Sequence, residues 1–212
     1  MSNILHQARY PMTTKTYFMR SFNFILNLLL IAPILYLFGW LFNSLSIQLN
    51  TNTLFKLETV TTITDKISSI SYGLALICLS LSLVLIGIEI VKRWKTDRLV
   101  NYVKSVYHTF SLRNFLFQRE KVQKVTSPEH QTVPTSSPVN NGFNRAVRKC
   151  MVDIQTDSVT IFIKVPRDQQ GQKILKDMEA LLKEEIASQH TDYYFSSPIR
   201  VRNQLWFIGK KR

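Results

Sequence analysis

"SYGLALICLSLSLVLIGIEIVKRWK", Ser71 to Lys95, is an apolar run that ends abruptly on Lys92, Arg93 and Lys95. No charged residue lies between Lys66 and Glu89, and the dense part runs from Ile70 to Val91. About 20 residues of α-helix cross ~30 Å of hydrocarbon, so this stretch predicts a transmembrane helix. A second such stretch precedes it. Nothing between Arg20 and Lys56 is charged, and Phe22 to Phe42 reads "FNFILNLLLIAPILYLFGWLF". Its apolar core exceeds the roughly 7–15 residues of a cleavable signal, and no small-x-small site follows in Trp40 to Ser46. Pro33 kinks this helix, which lipid-embedded helices tolerate. Tyr36, Trp40 and Tyr72 suit the headgroup layer. Two buried helices of a soluble core would instead keep a polar stripe.

Cations set the orientation. Residues 1–20 carry Arg9, Lys15 and Arg20 with no acid, and in 43–69 Lys56 and Lys66 cancel Glu58 and Asp65. Residues 92–124 are rich in Lys and Arg, with only Asp97 and Glu120 against them. Positive charge stays inside, so both termini are expected in the cytoplasm and the loop outside. The expected division is a cytosolic N-terminus (1–21), spans at 22–42 and 70–91, and an extracytoplasmic loop (43–69) forming a small hairpin or irregular cap. A basic stalk (92–125), a flexible linker (126–142) and a small α+β domain (143–212) follow.

The chain has 212 residues and a net charge of +13, from 27 Lys and Arg against 14 Asp and Glu. Such a balance points to an anionic partner, either nucleic acid or the acidic inner leaflet. Cys78 and Cys150 lie too far apart in character to suggest a disulfide framework or a metal site.

In the stalk, Leu99, Val103, Val106 and Phe110 recur as a helical stripe, so the second span is expected to continue to about Thr109. Lys92, Arg93, Lys95, Arg98 and Lys104 form a membrane-surface basic cluster that sets topology and binds acidic lipid. "SLRNFLFQREK", Ser111 to Lys121, fits a helix packed back on the stalk or on the bilayer surface. Glu89 is expected to reach the headgroups beside Lys92 and Arg93. "TSPEHQTVPTSSPVNNG", Thr126 to Gly142, has the Pro, Ser and Thr content of a linker.

Residues 147–155 and 158–165 alternate with period 2, placing Cys150, Val152 and Ile154, then Val159, Ile161, Ile163 and Val165, on one face each. A helix is expected from Gln170 to Gln189, with Ile174, Met178, Leu181, Leu182 and Ile186 as its apolar stripe. "DYYFSS" and "QLWFIGKK" complete a β-β-α-β-β unit. Its core is marginal by size, so an oligomer is expected.

No catalytic constellation is visible. The glycines never group into a phosphate-cradling loop. His6, His108, His130 and His190 are scattered, so no metal and no cofactor are expected. Asp153 and Asp157 flank a turn rather than form an acid/base pair. Arg200, Arg202, Trp206, Lys210, Lys211 and Arg212 mix cations with an aromatic ring, as single-stranded nucleic acid would require. The alternative is a last strand with alternating core residues and a solvated basic tail.

The order of parts resembles the front half of the FtsK/SpoIIIE-like DNA translocases of Gram-positive conjugative elements. The residues that carry the likeness are a basic N-terminus, the two-helix hairpin, the stalk "VKRWKTDRLVNYVKSVYHTF" and the β-β-α-β-β unit ending "QLWFIGKK". The resemblance implies a hairpin that anchors a coupling protein, with an ATPase motor beyond the small domain. No nucleotide-binding residue of that motor lies in this sequence, so ATP-driven transport is not expected of this chain alone. The expected function is a non-enzymatic membrane anchor or accessory of a DNA-transfer or other membrane machine. The alternative is a membrane-bound regulator or immunity-type protein that binds acidic lipid or a partner protein.

Overall fold

The computed structural model describes residues 14–51, 58–119 and 138–212. Among the described residues, those of Tyr17–Lys92 form one compact unit, and those of Arg93–Arg212 with residues 14–16 form another.

The first unit holds α1 (Tyr17–Thr51) and most of α2 (Glu58–Thr96), both long and apolar enough to cross a membrane. Both run well past the expected spans. The hairpin or irregular cap expected at 43–69 is therefore replaced by helix wherever these residues are described. The Ser and Thr content that suggested a loop is accommodated locally. Thr61, Thr62, Thr64, Ser68 and Ser71 each donate to a carbonyl three or four residues back. A helix can thus satisfy its hydroxyls without water.

The same residues form a seam. Thr61, Thr64, Ser68, Ser71 and Ala75 are buried on α2 at three- and four-residue spacing, with Ser82 seven further on, and Ala32, Gly39 and Ser46 are buried seven apart on α1. Small residues at heptad spacing let two helix backbones approach. At Gly39 a Cβ would sit 3.1 Å from the Tyr72 ring and 3.3 Å from the Ser68 carbonyl oxygen.

The second unit is built on an antiparallel sheet. Its strands are β1 (Met151–Ile154), β2 (Ser158–Lys164), β3 (Tyr193–Phe195), β4 (Ile199–Val201) and β5 (Gln204–Lys211). The order is β1-β2-β5-β3, and β4 also pairs with β5. The strands β3 and β4 are one edge interrupted by a bulge. Three residues, Ser196–Pro198, oppose two between the pairs Phe195↔Gly209 and Ile199↔Trp206. The expectation of two late strands therefore missed β4, a three-residue piece behind Pro198.

One sheet face presents Val152, Ile161 and Phe207 in one row and Ile154, Val159 and Gly209 in the next. Against this core lie Phe143 and Val147 of α4 (Pro138–Val147), Leu175 of α5 (Gln169–Asp177), and Leu182 and Ile186 of α6 (Glu179–Gln189). The single expected helix over 170–189 is two, joined at Met178, whose φ −86° and ψ −5° tighten the turn. Leu181, expected in the apolar stripe, points outward and is 58% exposed. Asp168 starts α5 by accepting the Gly171 N–H at 2.6 Å, an N-cap. Helix α4 takes in Pro138 to Gly142, which composition assigned to the linker; the linker's residues 126–137 lie outside the described residues.

The stalk is part of this unit. The helix α2 ends at Thr96, Arg98 is extended at φ −93° and ψ 136°, and α3 (Leu99–Leu116) begins afresh. Ser111 to Leu116 are the last turns of α3, not a separate helix. Leu112 and Leu116 enter the sheet's core. The folded domain therefore begins near Arg93 rather than at 143. Near the end of α3, Gln118 and Asn144 exchange hydrogen bonds. The Gln118 N–H donates to Asn144 Oδ1 (2.9 Å), and Asn144 Nδ2 donates to the Gln118 carbonyl (2.8 Å).

Candidate functional site

An edge strand presents a row of backbone donors and acceptors that must be paired or solvated. The outer edge of β1 is paired by side chains of a helix. Arg113 Nε donates to the Cys150 carbonyl (2.8 Å). Thr109 Oγ1 accepts the Val152 N–H (3.0 Å) and donates to its carbonyl (3.2 Å). Ser105 Oγ accepts the Ile154 N–H (2.8 Å) and donates to the Asn101 carbonyl (2.7 Å). At the far end, Asp97 accepts the Thr156 N–H (3.0 Å) and Asn101 Nδ2 (2.7 Å). Burial works to raise the Asp97 carboxyl; hydrogen bonds from Thr156 and Asn101 and two backbone N–H groups outweigh it and hold the pKa below the ordinary value.

Arg93 closes this edge. Its guanidinium donates to the Ile154 carbonyl (3.0 Å) and to Asp153, and it pairs with Asp97 at 3.5 Å. Arg93 is 5% exposed. It is not a membrane-surface cation, which corrects its place in the basic cluster: the other four members, Lys92, Lys95, Arg98 and Lys104, are exposed. Lys92 stands 5.5 Å from the Tyr17 ring. Glu89 is buried.

The second basic group is split. Arg200 lies on β4 and donates to Gln172 (3.0 Å). Arg202 sits in the β4–β5 turn at φ 52°. Lys210, Lys211 and Arg212 lie at the other end of β5, roughly 25 Å away along the strand. Trp206, expected to stack on a base, is 1% exposed and packs against Phe162 with ring centroids 5.0 Å apart. Its ring is buried on the sheet face opposite Phe207, and because Leu205, Trp206 and Phe207 are all buried, β5 does not alternate as the alternative reading expects.

A different arrangement emerges along the seam between α5–α6 and the β3–β4 edge. A cavity of about 410 Å³ is lined by Lys183, Ile186, Tyr194, Phe195, Phe207 and Arg212, among others. A second, of about 380 Å³, is lined by Lys173, Leu175, Lys176, Glu179, Arg200 and Leu205, among others. The Lys183–Glu179 ion pair, at 2.9 Å, contributes one residue to each. Both have apolar floors; Lys173, Lys176 and Arg200 rim the second, and Arg212 rims the first together with Lys183, whose charge Glu179 balances. Such a seam suits an extended acidic segment. The signal for it was present in Lys173, Lys176 and Lys183, which lie outside the expected apolar stripe of the helix over 170–189.

Two further groups are placed by the fold. Burial pushes the Cys150 thiol up to about 11. The His108 and His190 rings lie 4.5 Å apart, and burial together with His108 lowers His190 to about 4. Among the described residues, no three His, Cys, Asp or Glu side chains gather in a group that could hold a metal.

No family model, curated protein or solved structure matches this chain.

Proposed function

We propose that the protein is a non-enzymatic membrane anchor and accessory of a DNA-transfer or comparable membrane machine, and that its α+β unit recruits an acidic segment of a partner protein. The cation-rimmed, apolar-floored seam between α5–α6 and the β3–β4 edge carries this reading. The two long apolar helices support the anchor, and the excess of Lys and Arg outside them supports cytoplasmic termini. A photo-crosslinking residue in place of Tyr194, in the full chain in its native membrane, tests recruitment. A partner with an acidic segment should be captured, and Lys183→Glu with Arg212→Glu should abolish the capture. Crosslinks indifferent to the charge reversal would overturn it. Orientation is checked separately: a thiol at Glu58→Cys should react from outside, and one at Gln170→Cys only after permeabilisation.

A second reading, a regulator whose basic face binds acidic lipid, draws on the exposed cations and apolar side chains of α3.

A further inference from the structure

The helix α3 buries the face that composition would have left in water. Asn101, Ser105, Thr109 and Arg113 turn to β1, while Leu99, Val100, Val103, Tyr107 and Phe110 lie exposed on the far side. Val103 is 66% and Tyr107 68% exposed. A contiguous apolar stripe on a folded domain marks a surface that something covers.

We infer that α3 is an in-plane interfacial helix, whose outer stripe beds into the headgroup layer of an acidic bilayer. This rests on the membrane reading above. Helix α3 begins three residues after α2, a helix long and apolar enough to span, so the stripe starts where that span stops. The extended backbone at Arg98 breaks the helix there and permits a change of direction. The aromatic residues match the site: Trp94, 77% exposed, and Tyr107 have rings that favour the headgroup layer. So does the charge. Lys95, Arg98 and Lys104 are exposed beside the stripe, and the nearby acid, Asp97, is turned inward onto Arg93, Asn101 and Thr156. Helix α3 itself carries no Asp or Glu. A second copy fits less well, because a two-fold contact through this face would set cations against cations. Apolar face plus flanking cations is the composition of an interfacial amphipathic helix.

The test uses the full chain carrying Cys78→Ala, in which the buried Cys150 is inert. An environment-sensitive fluorophore is placed at Val103→Cys, and at Gln170→Cys as a control. Both proteins are reconstituted into phosphatidylcholine vesicles with or without phosphatidylglycerol, using brominated lipid as quencher. The Val103 label should be quenched several-fold more than the Gln170 label. The excess should shrink without phosphatidylglycerol, and again in a Lys95→Glu, Arg98→Glu, Lys104→Glu variant. Equal quenching at the two positions, with the protein still floating with the vesicles, overturns this inference and leaves the anchor standing. Quenching that is unchanged in phosphatidylcholine alone overturns the acidic-lipid assignment. Oxidative disulfide crosslinking between unlabelled Val103→Cys copies, with no lipid quenching of the labelled protein, assigns the face to a second copy. Failure to float overturns both the inference and the anchor.

Discussion

At the scale of single residues, Thr109 bears an unusual share of the fold. One hydroxyl serves both the N–H and the carbonyl of Val152. Thr109→Val keeps the shape and strands two buried backbone groups, so it should cost about 1–3 kcal/mol in urea unfolding of the full chain in detergent. Thr109→Ser should recover most of that loss. An unchanged midpoint in the valine variant would mean that water replaces the hydroxyl. His190 makes a pH prediction. Its pKa is lowered by burial and by His108, from the ordinary 6.5 to about 4. The unfolded chain therefore takes up the proton first. Stability is fully present above about pH 6.5 and falls as pH drops toward 4, by at most about 1.4 kcal/mol per unit. Around the ring stand His108, Tyr193 and Phe195. The difference in unfolding midpoint between His190→Phe and the parent should grow across that window and stay flat above it.

At the scale of elements, β5 shows how a weak residue is compensated. Gly209 faces Phe195 across the ladder, and a Cβ there would lie 2.8 Å from that ring. The aromatic side chain covers a glycine that strand propensity alone disfavours. Gly209→Ala should push Phe195 off the strand and lower stability by about 1–3 kcal/mol, read by thermal unfolding. A neutral result would show the ring free to move. The strands β1 and β2 were legible from the alternation of Cys150, Val152 and Ile154 and of Val159, Ile161 and Ile163, and β5 from its apolar run, whereas the burial of Phe162 and Trp206 on the opposite face was not. The helix α3 was legible as a helix but not by its face. The stripe Leu99, Val103, Val106 and Phe110 implied only that the second span continues as a helix to about Thr109. Here the inward face answers backbone groups of a strand edge, and a hydrophobicity pattern carries no record of those. The break at Met178 left no Pro or Gly to mark it. In the candidate site, Lys183 and Arg212 were visible as cations, but only the bulged edge at Ser196–Pro198 brings them to one cavity.

At the scale of the whole molecule, the sequence suggested a stalk, a linker and then a domain, whereas the compact second unit gathers α3 with the strands. Two segments far apart in the chain share one core through Leu112 and Leu116 and one hydrogen-bonded edge. Cutting the chain between them should therefore not separate them. With a specific protease site inserted between Glu129 and Gln131, the two fragments should co-elute in detergent after cleavage. Arg93→Met should weaken their association, because Asp153 would be left buried without its cation. Fragments that part on cleavage of the parent would show the stalk and the domain to be independent bodies.

The contact between α3 and β1 matches two rulers of nearly equal marking. Four residues of helix advance about 6.0 Å and two residues of strand about 6.7 Å, so Asn101, Ser105, Thr109 and Arg113 keep pace with Thr156, Ile154, Val152 and Cys150. The match drifts. Each step also turns the helix by about 40°, so the outermost rungs are rotated roughly 60° to either side of the centre. Short hydroxyls serve the two middle rungs, where the helix looks straight at the strand. The outer rungs need reach: Arg113 spans the gap with a long stem, and Asn101 works together with Asp97. A fifth rung of the same straight helix would be turned about 100° from the centre, and Asp97, one step beyond Asn101, bonds Thr156 from outside α3. The vernier between the two periods thus sets the length of edge that one straight helix can guard, and β1, at four residues, stays within it.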